Sequence, residues 1–315
     1  MALPLVSGLM SLCALGAAGE EAVEGTDYVT LETSRLRCVV GNNKALGEHK
    51  NRYNGIFSMW SPDQPETPFV PLYAGFNLEH YFDARPRHPE SDILFEPRAV
   101  PMTLSRPNDR AVELHQAPTP YWGVESWTRF EVKDPYYVDF DFRCVPRKGG
   151  IEGGFLGVFW ASYMNGPHNK SIYFLAPGAS LDAPQWRQFC TQHHDHYSTV
   201  LHEAEDLNIS FQDGDAVLWN QISPLKYSAP FYYGQIRNMV LIYIFKPGPH
   251  VRFTHSPSGG GPTASGDDTN PAWDFQLIVP GYQVNQEYGL TARAVYKPWV
   301  DRADVIAEVR KYLEE

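Results

Sequence analysis

The sequence predicts an all-β protein, folded as a large antiparallel β-sandwich with one C-terminal helix. Several segments alternate apolar and polar residues with a period of two, the pattern of a half-buried strand. The 315 residues include 25 glycines and 26 prolines, well above the typical total of about 12 %. Aromatic residues make up 14 % of the chain and charged residues only 20 %. This composition excludes a coiled coil, a helical bundle and a disordered chain.

Strand patterns begin near the N-terminus and continue along most of the chain. Residues Tyr28 to Leu31 and Leu36 to Val40 predict an opening hairpin. Alternating segments and short, continuous apolar runs bring the total to about a dozen strands. They are predicted at 112–115, 127–132, 137–144, 155–160, 172–174, 207–211, 216–219, 239–245, 273–279 and 290–296.

One helix is predicted at the C-terminus. Asp301 or Asp304 is suited to cap it, and apolar residues recur from Val305 to Leu313 at intervals of three and four. A second, weaker helix is predicted within Ser198–Glu205. The glycine-rich segment Ser256–Asn270 reads as a long surface loop. Nothing marks a boundary between domains, so residues 28–315 are predicted to form a single β-sandwich domain.

The first 19 residues resemble a secretory signal peptide. They carry no charge, are apolar from Leu3 to Ala18 and end in small residues suited to cleavage near Ala18. The protein is therefore predicted to be secreted or periplasmic. No later apolar run reaches the ~20 residues of a membrane span. A net charge of −11 makes nucleic acid an unfavourable partner.

Three cysteines follow the predicted signal peptide, at Cys38, Cys144 and Cys190. They allow one disulfide at most, and their spacing matches no C-x-x-C motif. We expect each of them to act as a small buried hydrophobic residue.

The densest group of titratable residues contains His193, His194, His196 and Glu203. His194 and His196 would share one face of an extended segment. With Glu203 they could bind one divalent metal ion. Alternatively, these histidines act in metal-free catalysis or sugar binding, or they form a solvated loop without a functional role. The cofactor is therefore either absent or a single divalent metal.

A second polar group lies between residues 49 and 80. Glu79 and His80 could form a general acid–base pair. Adjacent strand residues point to opposite faces, so both can face one cleft only if a turn or bulge lies there. Upstream, His49, Arg52 and Asn54 are candidates for binding hydroxyl or carboxylate groups; a structural hydrogen-bonded loop is the alternative.

Aromatic rings near turns are candidates for stacking against sugar rings, while polar groups bind the hydroxyls. Trp122 follows two prolines and precedes a glycine, and it is predicted to be exposed. The remaining candidates of this kind are Tyr163, Tyr232, Tyr233 and Trp273. For each ring, packing in the sandwich core is the competing interpretation.

A fourth set consists of Arg237, Arg252, His255 and Asp274. An arginine could neutralise a uronate carboxylate while His255 exchanges a proton with the sugar. Surface ion pairs beside an ordered loop are the alternative interpretation.

Two stretches, GEHKNRYNGIF at 47–57 and PLYAGFNLEHYF at 71–82, resemble the front of galactose-mutarotase-like β-supersandwich proteins. The resemblance is one of layout across residues 28–300. It implies strands and polar loops around an open sugar-binding cleft, and in such enzymes a histidine acid and a glutamate base. No position matches that catalytic motif closely enough to transfer either role. FTHSPSGGG at 253–261 and NPAWDF at 270–275 resemble secreted bacterial proteins of unknown function.

Together these patterns predict a secreted carbohydrate-active protein whose partner is an oligo- or polysaccharide. The leading hypothesis is an enzyme, a glycosidase, polysaccharide lyase or sugar epimerase. It would use His193, His194 or His196 together with Glu79, His80 or His255. A non-catalytic carbohydrate-binding module and a metal-dependent enzyme using residues 193–203 are the alternatives.

Overall fold

A computed structural model describes residues 27–85, 87–247 and 250–315. The predicted signal peptide at 1–19 lies outside these residues. The described residues form three β-sheets, and the two larger sheets pack face to face. The predicted all-β fold with a C-terminal helix is confirmed.

The smallest sheet is the predicted opening hairpin extended by a third strand. The hairpin pairs antiparallel with Tyr28 opposite Gly41. Its strands, in spatial order, are β1 Tyr28–Glu32, β2 Arg37–Gly41 and β3 Gly55–Trp60.

The six-stranded sheet carries the side chains of greatest interest. All its pairings are antiparallel except one parallel pair at its edge. In spatial order its strands are β13 Ile222–Tyr227, β12 Thr199–His202, β16 Val251–Ser256, β17 Ala272–Pro280, β9 Phe155–Ala161 and β4 Asn77–Phe82.

The nine-stranded sheet is antiparallel throughout. Its strands, in spatial order, are β11 Trp186–Phe189, β10 Ile172–Leu175, β14 Phe231–Ile236, β15 Met239–Phe245, β18 Tyr288–Pro298, β8 Tyr137–Pro146, β7 Val124–Lys133, β6 Ala111–Gln116 and β5 Thr103–Asn108.

The main core lies between the two large sheets. Phe142 of the nine-stranded sheet meets Trp160 of the six-stranded sheet edge-to-face, with ring centroids 4.7 Å apart. Phe245 and Phe275 make a similar contact at 5.1 Å. Because side chains alternate along a strand, the intervening residues of β9, such as Phe159, point to the opposite, outer face of the six-stranded sheet.

Short helices and loops cover that outer face. Helices α1 (Ser91–Leu94) and α2 (Glu96–Ala99) pack against β4, and a 3₁₀ turn at Leu218–Asn220 lies over the same face. Helix α3 (Arg302–Glu314) packs instead on the outer face of the nine-stranded sheet. The predicted cap is confirmed at Asp301, whose carboxylate accepts a hydrogen bond from the backbone N–H of Asp304 at 2.8 Å.

Three of the predicted elements are wrong. Residues 207–211 and 216–219 form no strand, because their apolar side chains cover the outer face of the six-stranded sheet rather than joining it. The weak helix predicted within Ser198–Glu205 contains strand β12 instead. There Val200 packs in the core, and the Thr199 hydroxyl is bonded to the Leu218 carbonyl. Tertiary contacts decide the conformation of such a short segment.

The long loop predicted at 256–270 is confirmed between β16 and β17. Cys38 and Cys144 are buried, Cys190 is exposed, and all three are free thiols in the described part of the chain. Among the residues described, no helix combines the length and apolar character needed to cross a bilayer.

Gly157 of β9 offers a test of packing beneath the covered outer face. A Cβ at Gly157 would lie 2.3 Å from the Phe82 ring, which itself stacks on Trp219. We expect Gly157→Ala to lower the free energy of unfolding by about 1–3 kcal/mol, the usual cost of overpacking. Urea denaturation measures the change. Gly149→Ala is the control, because its Cβ would meet only Val284, at 3.9 Å; an equal loss in both variants would contradict this account.

Candidate active site

A cavity of about 280 Å³ opens on the covered outer face of the six-stranded sheet. Strands β4 and β17 form its floor, α1–α2 and the Leu218–Asn220 turn form one side, and the 258–261 segment borders it. Its lining mixes aromatic rings with carboxylates, an imidazole and guanidinium groups, the composition typical of a small-molecule site. Five of the residues predicted from sequence lie in this lining: Glu79, His80, Tyr163, His194 and Asp274.

Glu79 and His80 both face the cavity because strand β4 is irregular between them. In the pairing with β9, Leu78 opposes Trp160 while His80 opposes the next residue, Phe159, so Glu79 is an extra residue in the ladder. Such a bulge breaks the normal alternation of side chains. Glu79 and His80 were expected to face one cleft only if a turn or bulge lay there, and the structure contains this bulge.

Asn54 holds the backbone at the start of this bulge. Its side-chain amide donates to the Leu78 carbonyl at 3.0 Å, and its side-chain oxygen accepts from the Leu78 N–H at 3.0 Å. Asn54 is buried and does not line the cavity. The residue predicted to bind ligand therefore supports the strand that carries Glu79 and His80.

Glu79 is fixed by two donors inside the cavity wall. Its Oε1 accepts from Arg98 Nη1 at 2.7 Å and from the Tyr163 hydroxyl at 2.5 Å. Burial disfavours the charged form of Arg98, yet the pKa of Arg98 is raised because the Glu79 carboxylate outweighs that penalty. Burial, reinforced by the Glu79 charge, raises the pKa of Tyr163 well above its usual value, so its phenol stays protonated. Glu79 is thus an oriented carboxylate whose second oxygen, Oε2, lies 3.7 Å from His80 Nε2.

His80 is a neutral imidazole with a defined tautomer. Its Nδ1 lies 2.6 Å from the Leu94 carbonyl, which can only accept, so Nδ1 carries the proton. The rings of Phe95 and Trp219 pack against the imidazole, with centroids 4.7 and 4.9 Å away. This burial lowers the pKa of His80 despite the opposing effect of Glu79. Nε2 is left with a free lone pair, able to accept a proton.

Asp274, unlike His80, is suited to donate a proton. Its Oδ1 accepts the backbone N–H of Ser162 at 2.9 Å, and its Oδ2 is buried with no hydrogen-bond partner among the described residues. Burial, together with the nearby Glu79 charge, raises the pKa of Asp274 well above the ordinary value, although the Ser162 bond opposes the shift. Because Oδ1 is engaged as an acceptor, the proton belongs on Oδ2. The surroundings of Asp274 thus favour its protonated form, in the same cavity where the surroundings of His80 favour an unprotonated imidazole.

Three tyrosines form an aromatic wall beside these groups. The ring centroids of Tyr53 and Tyr73 lie 4.7 Å apart, and those of Tyr73 and Tyr163 lie 5.0 Å apart. The Arg98 guanidinium lies 3.8 Å from the Tyr53 ring centroid, a cation–π contact. Sequence reasoning missed Tyr53, Tyr73 and Arg98. The only signal for Tyr53 was its position between two predicted polar ligands.

The histidine-rich segment contributes one histidine to the cavity. His194 Nδ1 lies 2.6 Å from the Ser256 hydroxyl, and its Nε2 lies 3.8 Å from Asp195. His193 and His196 are outside the lining; their rings contact each other at 6.2 Å. The predicted metal ligands His194, His196 and Glu203 are not brought together. No group of three or more metal-ligating side chains occurs among the residues that the structure describes.

His255 points away from the cavity. It pairs across the sheet with Trp273, whose ring is in the main core, so both side chains lie on the inner face. Its Nε2 donates to the Lys170 carbonyl at 2.8 Å, and its Nδ1 accepts from the Thr191 hydroxyl at 3.0 Å. Burial lowers the pKa of His255 to about 4. These bonds satisfy both ring nitrogens and give His255 a structural environment.

Other candidates occupy structural positions too. His49 stacks on Phe57 at 3.3 Å, and Arg52 pairs with Asp92 at 2.6 Å. The prediction of an exposed ring at Trp122 is wrong, because that ring is 5 % exposed and packs in the core. The other predicted residues outside the cavity lie as follows: Tyr232 and Trp273 in the main core, Arg237 in an ion pair with Glu66, Arg252 in a buried ion pair with Glu205, and Tyr233 on the outer face of the nine-stranded sheet.

No protein-family model matches this sequence, and a search of curated proteins found no significant match. Several solved structures are similar in layout. A provisionally assigned aldose 1-epimerase from Escherichia coli K12 is 9 % identical, with 86 % of this chain and 99 % of that chain covered at a TM-score of 0.49. A galactose mutarotase-like protein from Lactobacillus casei ATCC 334 is 9 % identical, with 86 % and 100 % covered at 0.48.

A third similar structure is a heparan sulfate lyase from Pedobacter heparinus. It is 10 % identical, with 89 % of this chain and 37 % of that chain covered at a TM-score of 0.43. The layout-level resemblance seen in the sequence is thus also found among solved structures.

Asn54→Ala should destabilise the fold by removing both side-chain bonds to Leu78. Two buried backbone groups would lose their partners, and we expect a loss of about 1–3 kcal/mol or more in the free energy of unfolding. Urea denaturation measures this loss. Asn108→Ala, at an exposed turn where the side chain accepts from Arg110 N, is the matched control and should change stability little. Unchanged stability of Asn54→Ala would show that the bulge does not need this support.

The protonation of His255 can be tested by its effect on stability against pH. Since its folded pKa of about 4 lies below the unfolded value near 6.5, wild-type stability from this residue is complete above pH 6.5 and is lost as the pH falls towards 4. We expect His255→Gln to be less stable than wild type at pH 7. The gap should narrow on acidification by up to about 1.4 kcal/mol per pH unit. Denaturation curves at pH 7, 6 and 5 measure it; a constant gap would contradict the assignment.

Proposed function

We propose that this chain is a carbohydrate-active enzyme that interconverts the anomers of a free sugar by proton transfer. The observation that carries the proposal is that one cavity brings together His80, an imidazole whose pKa is lowered by burial, and Asp274, a carboxyl whose pKa is raised by burial. Groups whose environments drive their pKa values in opposite directions from the ordinary ones are suited to act as base and acid at neutral pH.

The reaction balances with these two groups alone. His80 Nε2 takes the proton from the anomeric hydroxyl, the bond from C1 to the ring oxygen breaks, and Asp274 gives its proton to that ring oxygen. The open-chain aldehyde then turns its carbonyl face, and the reverse transfers close the ring with either configuration at C1. No oxidant, reductant or metal is required.

Glu79 and the tyrosines position the sugar in this scheme. The free Oε2 of Glu79 can accept a hydrogen bond from a hydroxyl, and the wall of Tyr53, Tyr73 and Tyr163 offers rings for the apolar face of a pyranose.

The test is the rate of anomeric exchange for a panel of free aldoses, measured by polarimetry and by NMR. We expect wild type to accelerate exchange of at least one aldose, and His80→Asn and Asp274→Asn to lower kcat by a factor of about 10² or more. The rate should fall at high pH as Asp274 loses its proton. It should persist below pH 6.5, because the lowered pKa of His80 keeps that base unprotonated.

Matched controls come from a second His–Glu pair on the protein surface. His115 Nε2 lies 2.9 Å from Glu125 Oε1 on the nine-stranded sheet, outside the cavity. His115→Asn and Glu125→Gln should retain wild-type exchange. The proposal fails if His80→Asn keeps full activity. It also fails if wild type binds sugars without accelerating exchange, or if it releases unsaturated products or new reducing ends from polysaccharides.

A further inference from the structure

One charged side chain of the cavity takes no part in the proposed proton transfer. Arg87 precedes helix α1 and belongs to the cavity lining. It is exposed, as is His194 from the histidine-rich segment, so these two residues mark the side of the cavity that faces solvent. Arg98, the other guanidinium in the lining, is instead bonded to Glu79 within the wall.

Arg87 differs from most arginines of the protein because it has no carboxylate partner. Across the described ranges, only Arg87, Arg187 and Arg302 make no ion pair. Arg302 donates to the Tyr233 hydroxyl instead. Since the chain carries a net charge of −11, carboxylates are abundant, and the lack of one beside Arg87 is a distinctive feature of the cavity. Arg87 also makes no side-chain hydrogen bond to any residue that the structure describes.

The charge of Arg87 nevertheless acts inside the cavity. Burial is the main cause of the lowered pKa of His80, and the positive charges of Arg98 and Arg87 add to it. On the opposite side, burial raises the pKa of Asp195, and nearby positive charges, that of Arg87 among them, oppose the shift. Arg87 is therefore close enough to interact with a ligand that reaches His80.

The remaining charges of the lining limit the charge of such a ligand. Glu79 is neutralised by Arg98, 2.7 Å away, and the raised pKa of Asp274 favours its uncharged form. Asp195 is the remaining carboxylate of the lining, and it makes no ion pair with Arg87 within the described part of the chain. A ligand with one negative charge therefore fits this site better than a phosphate monoester, which carries almost two.

We propose that the free sugar interconverted in the cavity is a uronic acid and that Arg87 binds its carboxylate. A guanidinium presents parallel N–H donors that match the two oxygens of a carboxylate. In a hexuronic acid the carboxylate is attached to C5, across the ring oxygen from C1, so it is separate from the hydroxyl that His80 deprotonates. This inference rests on the proposed function and adds its substrate class. It also gives Arg87 the role suggested from the sequence for Arg237 or Arg252, both of which are held in ion pairs.

The test compares each uronate with the neutral aldose of the same configuration. Galacturonate, glucuronate and mannuronate are set beside galactose, glucose and mannose, and glucose 6-phosphate is the dianionic probe. Rates of anomeric exchange are measured by NMR, and binding is measured by titration calorimetry. We expect wild type to show a higher kcat/KM for at least one uronate than for the matching neutral aldose and for glucose 6-phosphate.

Arg87→Gln should raise KM and Kd for that uronate about three- to tenfold, because it removes one solvent-accessible charge pair with the ligand. The kcat should change little, since the carboxylate is bound equally in the ground and transition states. The preference for the uronate over the neutral aldose should fall by the same factor. Added NaCl should raise the uronate KM of wild type but hardly that of Arg87→Gln, because salt screens the charge pair.

Arg187→Gln is the matched control. Arg187 is also exposed and without an ion pair among the described residues, but it lies on the edge strand β11, outside the cavity. This variant should match wild type with every sugar. Arg87→Lys keeps the charge without the paired donors and should retain part of the preference.

The inference is overturned if wild type prefers glucose 6-phosphate, or if Arg187→Gln loses as much as Arg87→Gln. Acceleration of neutral aldoses alone, without binding of any uronate, also overturns it and leaves the proposed function in place. Arg87-dependent binding of a uronate without acceleration of any sugar has the opposite meaning: the ligand class stands and the proposed function fails. If wild type neither binds nor exchanges any of these sugars, both are contradicted.

Discussion

One extra residue in strand β4 places both Glu79 and His80 in the cavity. Without the irregularity at Glu79, alternation would place either Glu79 or His80 in the main core, where a carboxylate or an imidazole would have few polar partners. With it, Leu78 and Tyr81 remain in the core while the two residues between them both face the cavity. The two hydrogen bonds from the Asn54 side chain to the Leu78 backbone stabilise this bulge.

Burial then sets the protonation states around the bulge. A carboxyl and an imidazole removed from water both tend towards their neutral forms. The neutral form of Asp274 carries a proton that it can donate, whereas the neutral form of His80 has a nitrogen lone pair that can accept one. The Glu79 carboxyl is held by two donors, because Arg98 and Tyr163 both donate to its Oε1. Two carboxyls and one imidazole therefore take different roles because their hydrogen-bond partners differ, although all three share one covered surface.

The sequence predicted well what depends on local pattern. The run at 239–245 is strand β15, and the hairpin at the N-terminus pairs as expected. Patterns could not show that Leu218 and Trp219 cover the cavity, since apolar residues in a strand and in a covering loop look alike. For the site, the sequence identified Glu79 and His80 and indicated that a turn or bulge must lie between them if both are to face one cleft. Arg98 was not, because its role arises from α2 lying against β4, a contact between segments distant in the sequence.

The same ambiguity explains why aromatic residues were difficult to assign. Tyr232 and Tyr233 are neighbours in sequence and both looked suited to a sugar, yet alternation along β14 sends them to opposite faces. Tyr232 packs in the core, stacked on Tyr243 at 4.9 Å, while Tyr233 is buried on the outer face of the nine-stranded sheet, stacked on Tyr173 at 5.2 Å. Which face of the sheet each of two adjacent rings occupies therefore depends on strand register, and register is fixed by pairing with strands far along the chain. The two outer faces of the sandwich therefore receive their side chains in different ways. On the six-stranded sheet a bulge in β4 breaks the alternation of side chains, whereas along β14 of the nine-stranded sheet the alternation is regular.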